Sequence, residues 1–505
     1  MRSRWFSLFT LHRRNLSQSL AQIHGSPSSQ VSLLAADKGV GPRSTILFGT
    51  KDSTGALAEC LPVFTESKVD MTKIESTYGV NSNATHFIVD MAVGPEDKRI
   101  EKIISGLQKK SVALFARQIP PRLVPWFPIT SEEVNSLALL VLEGGIDLQN
   151  PEHPGFNDPE YRQRRQQIAD FASSFQYGSK PERIVYTKAE TDAWSVIWNK
   201  LQPLVEKYAC DQYLAALHDM QKHCGYREDN IPQLSDVSTF IQERTGFRLR
   251  PTAGLLSARH FLNGLAFNTF FCTQYLRHPA QPLYTPEPDL VHELVGHAPL
   301  FADPEFARFS QEIGLASIGA TDEQITALSR CYWFSVEFGL CRKNPQSKER
   351  KVYGAGILSS FGEIEYAMSD KPEIRDWDPF AAAQQEYPIT TYQPVYYIAE
   401  SFDSAKQKLQ EFASSLRKPF TVKWDAANQK LVVDSNVIRQ DKSLVSKGTY
   451  GDLIFFFFTG RGVTSSSCIL EEIKTSQILF NNCKLLALNI KNSFVNSAGT
   501  YFLSF

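Results

Sequence analysis

Several features that often reveal a protein's environment are missing from this 505-residue sequence. Its eight cysteines include no C-x-x-C pair and no disulfide-like spacing, which favours reduced thiols in an intracellular compartment. No apolar run reaches the length of a membrane span, and LIFFFFTG near residue 455 is too short. A formal charge of −1 gives no reason to expect nucleic acid or an anionic membrane as a partner. These absences predict a cytoplasmic protein with neither partner.

Residues 1–36 contain no acidic side chain, although they carry arginines and serines. This composition is typical of a mitochondrial or plastid transit peptide, which would change the predicted compartment, and it is also typical of a disordered regulatory tail. Ser17 follows two arginines in RRNLS, as the target of a basophilic kinase would. We therefore interpret residues 1–43 as a flexible tail with a regulatory or targeting role.

An apolar content of 42% with 21% charged residues is typical of a globular protein, and the length predicts two or three domains. Between Ser44 and Arg117 the strand-like runs STILFGTKD, THFIVDMAV and VALFAR alternate with segments of helical spacing. The order β-α-β-β-α-β predicts a ferredoxin-like α+β domain at residues 44–117, with an antiparallel sheet and helices on one face. Such domains more often bind or regulate than catalyse.

A proline-rich segment follows, with four prolines between Pro120 and Pro128, and it predicts a linker at residues 118–128. Helical spacing then prevails, and one helix is expected from Ala258 to Arg277. RKPFTVKWDAANQKLVVDS predicts a closing β-hairpin, so a mainly α-helical domain is placed at residues 129–435. Residues 436–505 show no sustained period and form an atypical tail.

The stretch PEPDLVHELVGHAPLF contains two histidines whose spacing differs from the H-E-x-x-H of zinc proteases. On a straight α-helix, His292 and His297 diverge by about 140°, so they can share an ion only if a third ligand faces them. Glu337 is the candidate, because it lies in the apolar run WFSVEFGL on a helix that begins with the capping box of Thr321 and Gln324. A carboxylate in such a context needs a partner, for example a metal ion.

Two imidazoles and one carboxylate form the facial triad of non-haem iron(II) oxygenases. A structural zinc site would have four protein ligands, usually with thiolates. A zinc hydrolase using Glu293 as a base is an alternative, although the five-residue spacing opposes it. Without further context, two histidines and a glutamate are more often ordinary polar residues than ligands.

Four long motifs narrow these alternatives: FRLRPTAGLLSARHFLNGLAFNTFFCTQYLRH, YTPEPDLVHELVGHAPLFADPEFARFSQEIGLASIGA, YWFSVEFGLCRK and YGAGILSSFGEIEYAMS. From about Trp126 to Val433 the sequence resembles the pterin-dependent aromatic amino acid hydroxylases. The amino-terminal unit is similar to the ACT domain of that family, with GALAECLPVF and IES as landmarks. The resemblance implies Fe(2+) bound by His292, His297 and Glu337, with tetrahydrobiopterin or another reduced pterin and O2 at the open face.

The resemblance also implies roles for other side chains. Glu293 and Tyr332 would lie beside the pterin and the iron as catalytic residues, and the substrate carboxylate would bind Arg277. Alternatively, Leu255 and Leu256 are plain core residues and Arg277 caps a helix. The implied pterin-binding residues are Gly254, Leu255, Leu256, Phe261, Glu293 and Tyr332. The implied substrate-binding residues are Arg277, Thr285, Pro288, Trp333, Ser359 and Glu363.

A few positions favour L-phenylalanine, converted to L-tyrosine in phenylalanine catabolism, over the other substrates of the family. Tyr332 and Trp333 occur together as in phenylalanine and tyrosine hydroxylases, and Tyr284 with Thr285 differs from the pair typical of tyrosine hydroxylases. Ile389 is apolar, which suits a ring without a hydroxyl group. DWDPFAAAQ instead resembles tyrosine hydroxylases. Tyrosine 3-hydroxylation and a catalytically inactive amino acid sensor therefore stay as alternatives.

Two departures from the family concern regulation and assembly. Thr77 and Tyr78 follow KIES, where phenylalanine-responsive ACT domains usually have arginine and proline, so activation by substrate stays open. The tail after Ser443 lacks the coiled-coil spacing of a tetramerisation helix. We expect a homo-oligomer, with a dimer favoured over a tetramer.

Overall fold

The computed structural model describes residues 43–78, 84–110, 112–141, 153–283, 285, 287–388, 391–435 and 437–440. The predictions made for Ser17, Tyr284, Ile389 and the tail after residue 440 lie outside these residues. Within them, no helix is both long enough and apolar enough to cross a membrane.

The amino-terminal unit has the predicted β-α-β-β-α-β order. Its four strands form an antiparallel sheet in the order β2-β3-β1-β4. Phe48 and Val89 from the strands share one core with Phe64 and Ile103 from the helices, so the apolar positions of both patterns meet. The elements are β1 (Ser44–Lys51), α1 (Ala56–Cys60), α2 (Pro62–Glu66), β2 (Met71–Tyr78), β3 (Ala84–Met91), α3 (Arg99–Gln108) and β4 (Ala113–Ile119).

The proline-rich segment is more ordered than a linker. Strand β5 (Arg122–Val124) lies inside it and pairs in parallel with β14 (Val437–Arg439), which belongs to the segment predicted as tail. The four prolines stand outside both strands, where the missing amide hydrogens interrupt no ladder. Proline density therefore marked the ends of a short strand inside the segment predicted as a Pro-rich linker.

The larger unit is mainly helical, as predicted, and most of its buried apolar residues form one core. Each longer helix buries one face. The start of α6 follows the sequence rule for helix capping, because Thr187 and Glu190 form a capping box there. The helices are α4 (Ser131–Asn135), a 3-10 turn (Ser136–Leu139), α5 (Pro159–Ser174), α6 (Lys188–Tyr208), α7 (Asp211–His223), α8 (Leu234–Thr245), α9 (Ala258–Leu265), α10 (Ala298–Phe301), α11 (Pro304–Ser317), α12 (Asp322–Tyr332), α13 (Ala355–Leu358), α14 (Phe361–Ala367), α15 (Pro379–Ala382) and α16 (Phe402–Ser415).

The single helix expected from Ala258 to Arg277 was wrong. Helix α9 ends at Leu265, and Asn268 then adopts a left-handed conformation with φ of 51° that stops the helix. The following residues form strand β7 (Thr269–Cys272), which pairs in parallel with β6 (Arg248–Pro251). Arg277 therefore does not cap a helix. Residues of the β6–β7 pair line both of the cavities described below.

Short strands complete the larger unit, and most of them were not predicted. A four-stranded sheet has the order β10-β11-β8-β9, while the predicted closing hairpin is present as an antiparallel pair, β12 with β13. The strands are β8 (Leu340–Arg342), β9 (Arg350–Val352), β10 (Glu373–Asp376), β11 (Val395–Ala399), β12 (Val422–Asp425) and β13 (Lys430–Val433).

Candidate active site

The two histidines lie on a π-helical turn, π1 (His292–His297), and not on an α-helix. The turn ends with the Ala298 amide donating to the Glu293 carbonyl, five residues earlier. An i→i+5 hydrogen bond brings residues five apart to the same face, so the divergence expected for an α-helix does not occur. The Nε2 atoms of His292 and His297 are 3.0 Å apart.

Glu337 reaches the same point from a second π-helical turn, π2 (Trp333–Glu337), which continues α12. Its Oε1 lies 3.0 Å from Nε2 of His297, and its Oε2 lies 3.6 Å from Nε2 of His292. Adjacent ligands of an octahedral ion with bonds of about 2.1 Å are separated by roughly 3 Å. The three side chains therefore fit one face of such an ion, which is the geometry of a facial triad.

A second carboxylate lies close by but is engaged elsewhere. The ligand atoms of His292, Glu293 and His297 all lie within 4.8 Å of one another. However, Oε1 of Glu293 accepts hydrogen bonds from the amide and the hydroxyl of Thr273, each at 3.1 Å. Glu337 is nearer to both imidazoles, so we take it and not Glu293 as the third ligand.

Burial keeps both imidazoles neutral. It lowers the pKa of His292 and of His297 to about 3, so each ring has a lone pair that can bind a metal at neutral pH. Burial also raises the pKa of Glu337 to about 7, an effect partly opposed by His292 and by the Tyr332 hydroxyl. A bound cation would be the positively charged partner that favours the ionised Glu337 carboxylate. The two imidazoles and this carboxylate therefore suit a divalent metal.

A serine determines which nitrogen of His292 faces the site. The hydroxyl of Ser359 donates to the carbonyl of Ala355 at 2.8 Å and lies 3.1 Å from Nδ1 of His292. Because its one hydrogen is used, the hydroxyl accepts from Nδ1–H, which leaves the lone pair on Nε2. Metal-binding histidines generally donate their other ring N–H to an acceptor in this way.

A cavity opens beside the triad. Its walls include His292, His297 and Glu293, together with residues that precede α9 and those of β7. Five of the six predicted pterin residues line it: Gly254, Leu255, Leu256, Phe261 and Glu293.

The sixth, Tyr332, does not line the cavity. It lies behind Phe261, with the two rings edge to face at a centroid distance of 5.3 Å, and its hydroxyl contacts Glu337. Leu255 is only half-buried and faces the cavity, so the alternative of a plain core residue fails for it.

Arg277 is buried against a carboxylate that the sequence did not single out. Asp289 accepts from Nε and Nη2 of Arg277, both at 2.8 Å, and from the Arg277 amide at 2.9 Å. Asp289 also accepts from the amide of His292, the first residue of π1, at 3.2 Å. The sequence signal that could have identified Asp289 is an acidic residue three positions before the first histidine. Asp289 therefore joins the arginine predicted to bind substrate to the turn that carries both histidines.

The other predicted substrate residues lie in two groups. Trp333 Nε1 donates to Gln393 Oε1 at 3.0 Å, and Glu363 Oε1 accepts from the Gln393 amide at 3.2 Å and from the Tyr396 hydroxyl. Trp333 also stacks on Tyr387 at 4.2 Å.

Pro288 lines the cavity, whereas Thr285 donates to the Glu287 carbonyl at 2.6 Å. Gln393 is thus a buried connector between Trp333 and Glu363 that the sequence reasoning missed.

The fold and the donor set define a metal-dependent oxygenase-type site, and comparison with known proteins gives the family. Residues 125–447 match the sequence model of the biopterin-dependent aromatic amino acid hydroxylases, and the chain belongs to that family. It is 47% identical over 389 residues to phenylalanine-4-hydroxylase of Dictyostelium discoideum, covering 76% of this chain and 87% of the relative. For the Homo sapiens phenylalanine-4-hydroxylase the identity is 46% over 395 residues, covering 78% and 86%.

A solved structure of Chromobacterium violaceum phenylalanine hydroxylase, with bound iron(III) and 7,8-dihydrobiopterin, is also similar. It is 27% identical, covers 50% of this chain and 92% of that chain, and has a TM-score of 0.42.

Proposed function

We propose that this chain hydroxylates the ring of L-phenylalanine to L-tyrosine with O2 and tetrahydrobiopterin, at Fe(2+) held by His292, His297 and Glu337. The observation that carries the proposal is the convergence of two imidazoles and one carboxylate, with nearest ligand atoms 3.0 to 3.6 Å apart, beside the cavity lined by the expected pterin residues. Both curated relatives described above are phenylalanine-4-hydroxylases. Bound iron and reduced pterin together supply the activation of O2.

The protein's own part is to position these groups and exclude water. His292 is oriented by Ser359, and all three ligands are buried, so the metal site has a low dielectric environment. Gly254, Leu255, Leu256 and Phe261 offer an apolar wall on which a pteridine ring can lie, with the Phe261 ring as a stacking surface. Glu293 and Tyr332 flank the pterin and metal positions in this proposal.

Arg277 is the proposed anchor for the substrate carboxylate. Asp289 binds Nε and Nη2 of its guanidinium, which fixes the plane and leaves the Nη1 side for a second carboxylate. Pro288, Trp333 and His292 would contact the aromatic ring. The remaining residues proposed to support the amino acid are Thr285, Ser359 and Glu363.

The amino-terminal unit is proposed to be an ACT-like regulatory domain at residues 44–117, followed by the catalytic domain at 129–435. Its support is the antiparallel sheet order β2-β3-β1-β4 together with the predicted element order. A dimer is the proposed assembly. Sedimentation of the purified full chain would test this, and a single tetrameric species would contradict it.

Tetrahydropterin-dependent O2 uptake by the purified, iron-loaded full chain tests the catalytic proposal. Phenylalanine, tyrosine and tryptophan are offered separately, with product identification. We expect tyrosine from phenylalanine, its loss in Glu337→Ala, and normal turnover in the control Glu323→Ala, since Glu323 is exposed at the start of α12.

The other outcomes separate the alternatives. Hydroxylation of tyrosine would make the chain a tyrosine 3-hydroxylase. Stoichiometric zinc without hydroxylation would favour the hydrolase. An amino acid that binds without any metal or turnover would favour the sensor.

A further inference from the structure

A second cavity shares no lining residue with the one beside the triad. It is bounded by α4, α8, the start of the β6–β7 pair and residues 175–181. Among the described residues, three cationic side chains line it, Lys180, Arg248 and Arg250, and no aspartate or glutamate does. Lys180 is exposed and Arg248 is half-buried, but Arg250 is buried, and a buried charge is normally paired.

Arg250 is the most deeply buried of the three cations, with 4% of its surface exposed. Its Nε donates to Asn135 Oδ1 at 3.0 Å and its Nη1 to the Ala172 carbonyl at 2.9 Å, while its guanidinium lies over the Phe175 ring at 4.7 Å. All of these partners are neutral. Burial lowers the pKa of Arg250 to about 10, as expected when no acid compensates the charge. Its positive charge therefore acts on the cavity.

Arg248 adds a second charge and an unused donor. Its Nη1 lies 3.5 Å from the Tyr177 hydroxyl, and its Nη2 donates to Gln429 Oε1. The Nε atom is buried and finds no hydrogen-bond partner among the described residues. A buried N–H without an acceptor is costly, so an acceptor in the cavity would stabilise this side chain.

Helix α8 presents hydroxyl groups to the same space. Ser235, Ser238 and Thr239 recur at helical spacing over its first two turns, but the Ser235 hydroxyl donates to Asp236 Oδ1 at 3.4 Å and the Thr239 hydroxyl donates to the Ser235 carbonyl at 2.8 Å. The Ser238 oxygen accepts from the Leu249 amide at 3.0 Å, so its own hydrogen can point to an acceptor in the cavity. The Ser238 hydroxyl and the guanidinium groups together suit a tetrahedral oxyanion.

We propose that this cavity binds a small phosphate-type dianion, as orthophosphate or as a phosphate monoester. Three cations with the Ser238 hydroxyl match the charge and the oxygen count of a phosphate better than those of a monocarboxylate. The site is linked to the triad by the β6–β7 pair, because Thr269 lines this cavity and the next residue, Phe270, lines the other. An anion here would stabilise the strands that carry one wall of the active site.

Calorimetric titration of the iron-loaded full chain with inorganic phosphate, at constant ionic strength in chloride, tests the proposal. We expect one saturable site per chain, with binding at least tenfold weaker in Arg248→Gln and Lys180→Gln. Arg183→Gln is the matched control, because Arg183 is 63% exposed, pairs with Asp236 and does not line the cavity. Its affinity should equal that of the unchanged chain.

Parallel titrations with glycerol 3-phosphate and with acetate identify the anion. Tighter binding of glycerol 3-phosphate than of inorganic phosphate supports a monoester, and the reverse supports orthophosphate. Acetate that binds as tightly as phosphate would overturn the assignment to a phosphate-type ligand. Phosphate that binds equally well to Arg248→Gln sits elsewhere, for example at the metal, and overturns the site. Absence of saturable binding to the unchanged chain overturns it as well.

Discussion

Replacing Ser359 with alanine should weaken iron binding without disturbing the fold. The Ser359 hydroxyl accepts from Nδ1–H of His292, and both side chains are buried, so the alanine variant leaves a buried N–H without a partner. Loss of such an outer partner typically lowers metal affinity by about 10- to 100-fold. By RT ln of that ratio, the binding free energy becomes less favourable by roughly 1.4 to 2.7 kcal/mol.

The measurement is the iron dissociation constant, obtained by competition with a chelator of known affinity. Ser329→Ala is a matched control, because Ser329 is also buried and donates at 2.8 Å to the carbonyl four residues earlier, as Ser359 does. Both variants lose that bond, but only Ser359→Ala loses the histidine contact. Equal iron affinity in the two variants would refute the inferred orientation of His292.

Three further substitutions test the surrounding structure. Asp289→Asn leaves Arg277 buried beside a neutral group, so we expect the free energy of unfolding, measured in urea, to fall by about 3 kcal/mol. The KM for the amino acid should rise at least tenfold more than the KM for the pterin. Gly314→Ala would place a Cβ 2.1 Å from the Ala266 amide nitrogen, so α9 and α11 must separate, and thermal unfolding should occur several degrees lower. Lys418→Met removes a cation bound to three carbonyls at the end of α11, and urea unfolding should show a loss of about 2 kcal/mol.

Local signals in the sequence were sufficient where the residue type itself fixes the backbone. The capping box predicted from Thr321 and Gln324 forms with both reciprocal bonds, at 3.3 and 3.0 Å. The β-branched runs of the amino-terminal unit became β1, β3 and β4 because one face of each is apolar. These patterns needed no knowledge of distant residues.

Strands buried on both sides were not recognised. Thr269–Cys272 is buried at every position, so its sequence shows no alternation, and it read as a continuation of α9. Its strand character depends on pairing with Arg248–Pro251, which residue types alone do not show. Asp289 was missed for a related reason, since an acid before a helix reads as a cap until Arg277 is seen beside it.

The π-helical turns explain why the geometry of the three candidate ligands could not be predicted from the sequence. Residue chemistry indicated His292, His297 and Glu337, but the i→i+5 register is decided by what packs against the turns. Segment α13 contacts both π1 and π2. At its start a Cβ on Gly354 would lie 2.4 Å from the Glu337 carbonyl oxygen, so only glycine permits that approach. At its end Ser359 contacts His292. The motif YGAGILSS therefore belongs to the metal site, because it holds the two turns at the separation that brings three ligand atoms together.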